Sequence, residues 1–333
     1  MTTRREFVGT MGLTVAAGAA WPARSMARML SQATFFDWKE VGKGVHATHD
    51  GSSGGNVMVV VGEGMALLVD AKFGPMSPVL RREAESHGAP IRHLVNTHHH
   101  GDHTSGNVGF SANAEVWANE KARPRIVAQV DRYISDLAGG AGMLTRGERE
   151  PEEWMLEEAG KMADRRATFD AEDWAPGRTL TGGENVIEFG RRAIEVRHVG
   201  PGHTDNDVFI KVIDANVVHA GDLLFNGLHP YFDPNGGGSS KGWIDSLSGV
   251  IAICDAETVV VPGHGAIGDI ESLKKARAHH EQLREAVAKA IADGKTKEET
   301  TEMSWGFMEG LGREQLRPRA IAFVYDEIKA DGQ

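Results

Sequence analysis

The sequence predicts an α/β layered fold, and three observations carry that expectation. Short β-branched runs dominate the first part of the chain, a charged helix-rich stretch interrupts them, and strand and helix patterns then alternate to the end. The chain has 333 residues, 41% of them hydrophobic, which is enough for one large domain or one domain with additions. Its 41 glycines point to many tight turns, and no short internal repeat is visible.

Taken in order, Val57 to Ala71 reads as two strands around the turn Gly62-Glu63-Gly64. Ser77 to His87 carries a helical pattern. Ile91 to Asn96 is a short apolar run, a buried strand, and Glu115-Val116-Trp117 is another strand. Lys121 to Pro176 is charged and helical, broken around Gly139 to Gly142, and its pattern fits a lid and a side-packed insert equally well. Asn185 to Phe189 and Ala193 to Val199 are strands leading into Gly200-Pro201-Gly202. Val208 to Ile213 and Asn216 to Ala220 form a hairpin, and Trp243 to Ile253 a helix. Thr258 to Val261 is a strand ending at Pro262-Gly263-His264-Gly265. Ile270 to Asp293 and Arg317 to Ala330 are helices of a C-terminal extension, residues 268–333.

Composition narrows the function. A formal net charge of −11 and the lack of a basic run after residue 30 argue against a nucleic-acid surface. The single cysteine, Cys254, excludes an intramolecular disulfide and sits in an apolar run as a small buried hydrophobe. Residues 1–27 resemble a twin-arginine export signal: Arg4 and Arg5 beside Phe7, a weakly apolar run from Val8 to Ala20, then Ser25-Met26-Ala27 at a cleavage position. That run is shorter than the roughly 20 residues a membrane span needs. The expectation is an exported, periplasmic protein without a stable membrane span.

Asn96 to His103 reads NTHHHGDH, four histidines and an aspartate directly after a strand. In extended backbone His98 and His100 would share a face and reach one cation. Asp102 and His103, at a turn entering a helix, would project to a neighbouring point, so one loop can serve two cations. His203 in VGPGHTDND, Asp222 in VVHAGDLLF and His264 in VVVPGHGAIGD each follow a strand run. Five imidazoles and two carboxylates gathered from strand ends form a metal centre, with Asp222 open to a supporting role behind a ligand histidine.

THHHGDH, GPGHT, AGDLLF and PGHG, in that order, resemble the motifs of the metallo-β-lactamase superfamily over roughly Val45 to Ile267. The resemblance implies an αββα sandwich spanning residues 28–333, with residues 121–176 as a helical insert and a helical C-terminal tail. It implies a first zinc on His98, His100 and His203, and a second on Asp102, His103 and His264, with Asp222 bridging or close by. Two zinc ions per chain suit this donor set, and the carboxylates also admit manganese or iron. Catalytic roles fall to Asp102, which would orient a bridging hydroxide, and to Asp222. Within the superfamily the chain is similar to the Cys-ligand β-lactamases, but Asp222 stands for their Cys and Phe225 for their carboxylate-pairing Lys. The implied activity is hydrolysis of an amide- or ester-type carbonyl in a small-molecule substrate, with at most incidental β-lactam turnover. A lactonase or thioesterase, a di-iron protein, and a non-enzymatic accessory of a periplasmic sulfur or quinoprotein pathway are the alternatives.

Substrate contacts are expected from the Gly-rich loop Leu228 to Leu247, with His229, Tyr231, Asn235, Ser239 and Lys241 as candidates. Gly51 to Asn56 falls where the family has a flap. His99, between two ligands, should point away from the centre. The sequence is silent on oligomeric state.

Overall fold

Val57 and Val59 face one apolar core while Met58 and Val60 face another, the two-residue alternation of a strand buried on both sides. Ala66 and Leu68 against Leu67 and Val69 repeat the pattern on the next strand. In this computed structural model residues 34–49, 54–145 and 149–332 are described; the export-signal residues 1–27 and the tip of the expected flap, residues 50–53, lie outside them.

The first sheet orders seven strands as they occur in the chain: β1 (Trp38–Gly42), β2 (Val45–Thr48), β3 (Met58–Val61), β4 (Ala66–Val69), β5 (Ile91–Val95), β6 (Glu115–Asn119) and β7 (Arg178–Leu180). Pairing is antiparallel as far as β4 and parallel from β4 to β7. The second sheet holds β8 (Gly183–Phe189), β9 (Arg192–His198), β10 (Phe209–Val212), β11 (Val217–Asn226) and β12 (Val259–Gly265), with β11 and β12 parallel at one edge. One core lies between the sheets, uniting Val60, Leu67 and Val95 with Ile194, Ile210 and Val261.

Helices cover both outer faces. On the first sheet lie α1 (Ser77–Ser86) and the insert, which contains α3 (Ala122–Val127), α4 (Val130–Ala138), α5 (Gly140–Leu144) and α6 (Glu153–Arg165); the single turn α2 (Gly101–Thr104) precedes them. Val79 and Leu80 of α1 share a core with Leu144, Met155 and Ala159 of the insert, so the insert is a packed part of the outer layer. On the second sheet lie α7 (Ser240–Ala252), α8 (Ile270–Ala292), α9 (Lys297–Thr301) and α10 (Arg317–Asp331), through Trp243, Leu247, Leu283 and Val324. Asp269 starts α8 with a reciprocal capping box to Ser272. The result is the αββα sandwich with a helical tail. Among the described residues no helix is long and apolar enough to cross a membrane.

Three strands, β1, β2 and β7, go beyond the expected set. Four expected strands, β6, β8, β11 and β12, are also longer than their patterns. The ladder between β11 and β12 breaks at Gly221 and resumes at Phe225 opposite His264, so Asp222 and His264 lie within paired strands and not in loops beyond them. Gly221 has φ of +54°, and a Cβ there would stand 2.8 Å from Thr97 Cβ. The irregularity at Gly221 turns Asp222 toward the first sheet.

Candidate metal centre

The loop after β5 is tied down before its histidines begin. Thr97 donates its N–H and its hydroxyl to the two oxygens of Asp70, both at 2.8 Å. Its carbonyl accepts from Val208 N at 2.8 Å, joining the two sheets at this point. Asn96 and Asn107 exchange side-chain amide bonds of 3.0 and 2.8 Å, and Asn107 also reaches the Trp174 carbonyl. The backbone from Thr97 to His99 is bent and not extended as the i, i+2 reading required. His98 and His100 still converge, because they present different nitrogens: Nε2 of the first and Nδ1 of the second.

His203 Nε2 lies 2.9 Å from His100 Nδ1, 3.4 Å from Asp222 Oδ2, and its ring centroid is 4.9 Å from that of His98. His98 Nε2 is 3.8 Å from the same Asp222 oxygen. Ligand atoms of His98, His100, His203 and Asp222 all fall within 4.8 Å of one another. Beside them, His264 Nε2 is 3.2 Å and His103 Nε2 3.7 Å from Asp102 Oδ2, a second cluster within the same limit. Asp222 reaches this cluster as well, with Oδ1 3.2 Å from His103 Nε2 and Oδ2 3.5 Å from His264 Nε2. The structure therefore brings together all seven residues named from the sequence, with Asp222 between two trios.

The outward nitrogens are held. His98 Nδ1 meets Thr97 Oγ1 at 3.0 Å, His103 Nδ1 meets Asp70 Oδ2 at 2.7 Å, His100 Nε2 meets Asp233 Oδ2 at 2.8 Å and His203 Nδ1 meets the Tyr231 carbonyl at 2.6 Å. With a proton on each outward nitrogen that faces an oxygen, the inward nitrogens carry lone pairs. Nε2 of His98 and of His103 and Oδ1 of Asp222 are buried without a hydrogen bond. A buried polar atom left so is costly, and divalent cations fit the atoms that are orphaned here. Space for the cluster is kept by Gly263, where a Cβ would fall 1.9 Å from Asp222 Oδ1, and by Gly55, where it would fall 2.1 Å from His103 Cε1.

The electrostatics agree. Burial opposes charge on Asp102 and Asp222, yet the surrounding imidazoles, His103 and His264 foremost, hold both carboxyls well below the usual range. Burial also opposes charge on His103, but Asp222, Asp102 and Asp70 overcome it and raise this imidazole well above its ordinary value. Burial pushes His203 down to about 3 and lowers His98 far below the ordinary histidine value. Positive charge is favoured in the middle of three carboxylates, where a cation would sit.

The loop candidates are spread out. Tyr231 lines the cleft above the centre. His229 is fully buried outside the cleft lining, with Nε2 3.0 Å from Glu314. Asn235 gives its carbonyl to Arg125 Nη1 at 2.7 Å. Ser239 caps α7 and donates to Glu327 at 2.8 Å. Lys241 is exposed on α7, outside the cleft lining. His99 turns from the centre toward Asn206 and Asp233. Cys254 lies on the helical side of the second sheet, its thiol at the Val250 carbonyl. Residues not anticipated are Asp70 and Asp233 behind the histidines, and Gln129, Arg132 and Arg313 at the mouth. Asp70 had a readable signal as an acid at a strand's end; the mouth residues had none.

An αββα sandwich with a histidine–aspartate cluster between its sheets is the architecture of a metalloprotein. The family model of the metallo-beta-lactamase superfamily matches residues 50–116 and 135–264, and the chain belongs to that superfamily. Uncharacterized proteins of Mycobacterium tuberculosis and Mycobacterium bovis are each 33% identical over 84 residues, 24% of this chain. The matched part spans 37% of the length of these curated relatives. Among solved structures, the DIM-1 metallo-beta-lactamase matches with a TM-score of 0.52 at 20% identity, covering 74% of this chain and 97% of that one. VMB-1 matches with a TM-score of 0.53 at 17% identity, covering 75% and 98%. At these identities what is shared is the fold.

Proposed function

We propose that the chain is a dinuclear zinc hydrolase that attacks an amide- or ester-type carbonyl, lactones and thioesters included. The observation that carries this reading is the position of Asp222, within reach of both the His98–His100–His203 trio and the Asp102–His103–His264 trio. Zinc held there would supply a water acidified to a pKa of about 7 and polarise the carbonyl under attack. An all nitrogen and oxygen donor set admits manganese or iron in the same places.

The chain's own residues divide the remaining work. Asp102 is the acid at the cleft, its side chain 28% exposed, and is placed to orient a water and carry its proton outward. Asp222, 3% exposed, is shut from bulk water and serves as a fixed counter-charge. Phe73 and Phe225 give the cleft apolar walls that limit competing water. Phe225 packs 5.2 Å from the His264 ring and carries no charge of its own, and esters, lactones or simple amides are the substrates proposed ahead of β-lactams.

Zinc-loaded protein should hydrolyse at least one class in a panel of lactones, thioesters, phenyl esters and β-lactams. Zinc bound at two equivalents with no turnover in any class would replace this reading with the accessory-protein one. We also place the protein in the periplasm, on the Arg4-Arg5 pattern. Replacing both arginines by lysine should retain it in the cytoplasm on cell fractionation; unchanged export would refute that placement.

A further inference from the structure

We propose that Arg125 of the insert is a positioning residue for the first cation site: its guanidinium clamps the loop that carries His203 to the loop that carries Asp233, the brace of His100. The proposal rests on the metal reading above. Arg125 lies in α3, within residues 117–134, which the family match leaves out between its two segments.

The loop from Asp233 to Gly238 reads Asp-Pro-Asn-Gly-Gly-Gly. Three consecutive glycines give a backbone wide conformational freedom. Yet this loop has to keep Asp233 Oδ2 at 2.8 Å from His100 Nε2, the bond that turns the other nitrogen of His100 toward the centre. Its freedom is removed from outside. Arg125 Nη1 donates to the Asn235 carbonyl at 2.7 Å, and Nη2 donates to Asp205 Oδ2 at 2.8 Å. Asp205 stands two residues after His203, and its N–H donates to the Gly236 carbonyl at 2.8 Å. One planar fork thus joins both loops, across 110 residues of sequence to one and 80 to the other. Gly236 and Gly237 leave room for the closure: a Cβ would fall 2.2 Å from Asp233 Oδ2 at the first and 2.9 Å from Asp205 Cβ at the second.

The fork belongs to a network beneath the first trio. Asp205 Oδ1 accepts from Asn206 Nδ2 at 3.0 Å, and the same amide nitrogen lies 3.0 Å from His99 Nδ1. Four residues after Arg125, Gln129 Nε2 donates to the His99 carbonyl at 3.1 Å. The side chains of Arg125 and Asp205 are 29% and 23% exposed, so the charge-assisted bond is partly shielded and holds its geometry. The second trio is braced from other directions, His103 by Asp70 and His264 from within β12. Loosening Arg125 should therefore release His100 and His203 and leave Asp102, His103 and His264 in place. Arg123, two residues earlier on the same helix, supplies the contrast: it binds Glu172 at 2.8 Å and the Pro176 carbonyl at 2.6 Å, both inside the insert.

The test is competition for zinc between a chromogenic chelator and the full-length protein, with anomalous scattering at the zinc edge to show which site empties. Wild type should take up two equivalents. Arg125→Gln should weaken one of them by about 10–100-fold and leave the other unchanged. The peak among His98, His100 and His203 should fade, and the peak among Asp102, His103 and His264 should stay. Arg125→Lys, which can keep one of the two bonds, should fall between. Arg123→Gln should leave both affinities as in wild type. Equal weakening of both sites, loss of the other peak, or no change overturns the proposal, as does an equal effect from Arg123→Gln. Should Arg125→Gln fail to fold, Arg125→Lys decides on the same readout: selective weakening of the first site supports the assignment, and any other pattern refutes it. If wild type binds no zinc among His98, His100 and His203, the metal reading itself falls and this assignment with it.

Discussion

The floor and the mouth of the cleft are built on opposite principles. On the floor, His98, His103, His203, His264 and Asp222 are at most 4% exposed, and the imidazoles of His98, His100, His103 and His203 are each braced by an oxygen from behind. At the mouth, Arg132 is mostly solvated, and Arg313 lies over the Phe225 ring face with Nη2 3.1 Å from His264 Nδ1. The floor comes from the loops after β5 and β9 and from within β11 and β12. The mouth comes from the insert and the tail, neither of which lends a residue to the core between the sheets. Under the proposed function, the buried floor would set the chemistry and the exposed mouth would choose the substrate.

The largest effect should come from breaking the floor at its shared residue. Asp222→Ala should lower bound zinc from about two equivalents to one or none, by elemental analysis, and cut hydrolysis by about a hundredfold or more. Chelation of the wild type should lower the melting temperature by roughly 5–10 °C, restored by zinc, since a tightly bound ion stabilises only the folded state. A variant that keeps full zinc content would show that Asp222 is not shared.

Removing a brace instead of a ligand should cost less. Asp70→Asn and Asp233→Asn should each weaken zinc affinity by about 10–100-fold in competition with a chromogenic chelator, with the fold intact by circular dichroism. Unchanged affinity would mean that the braces orient nothing.

The tail that carries Arg313 should respond to acid. Burial lowers the His279 imidazole to about 4, and Phe307, whose ring lies 5.4 Å away, belongs to the same tail. A histidine kept neutral when folded takes up its proton only on unfolding through this range. Its contribution is therefore complete above pH 6.5, falls as pH drops toward 4, and levels off below that. Urea midpoints should decline between pH 7 and 4.5, with His279 accounting for at most about 3 kcal/mol. His279→Gln should flatten the decline, and an equally steep one would assign it elsewhere. The smallest effect is at Lys241, exposed outside the cleft lining. Lys241→Ala should change stability by less than about 0.5 kcal/mol and leave KM unaltered for any substrate found.

This contrast also explains what the sequence disclosed. The seven candidate ligands are legible because they fall in four short motifs, each close behind an apolar run that its pattern marks as a strand. Asp222 and His264 were found for a reason slightly at odds with the structure, since the pairing of β11 and β12 continues past them. β1 and β2 escaped because Trp38 to Thr48 mixes charge with its alternation, though Gly44 at φ +66° marks their turn. β7 is three residues long and takes its register from Trp117 to Asn119, a non-local fact. The mouth was illegible for the same reason. Arg313 lies 49 residues from His264 in sequence, and no spacing rule spans the two helices α8 and α9 and a left-handed turn. His229 and Lys241 were drawn to the site by loop composition, which says nothing about the direction in which a side chain leaves the loop.

The central claim is that two cations share one carboxylate on this floor. Anomalous scattering at the zinc edge from crystals of zinc-loaded protein tests it directly. One peak is expected among His98, His100 and His203, a second among Asp102, His103 and His264, and Asp222 between them. A single peak, or any peak held by other residues, would contradict it.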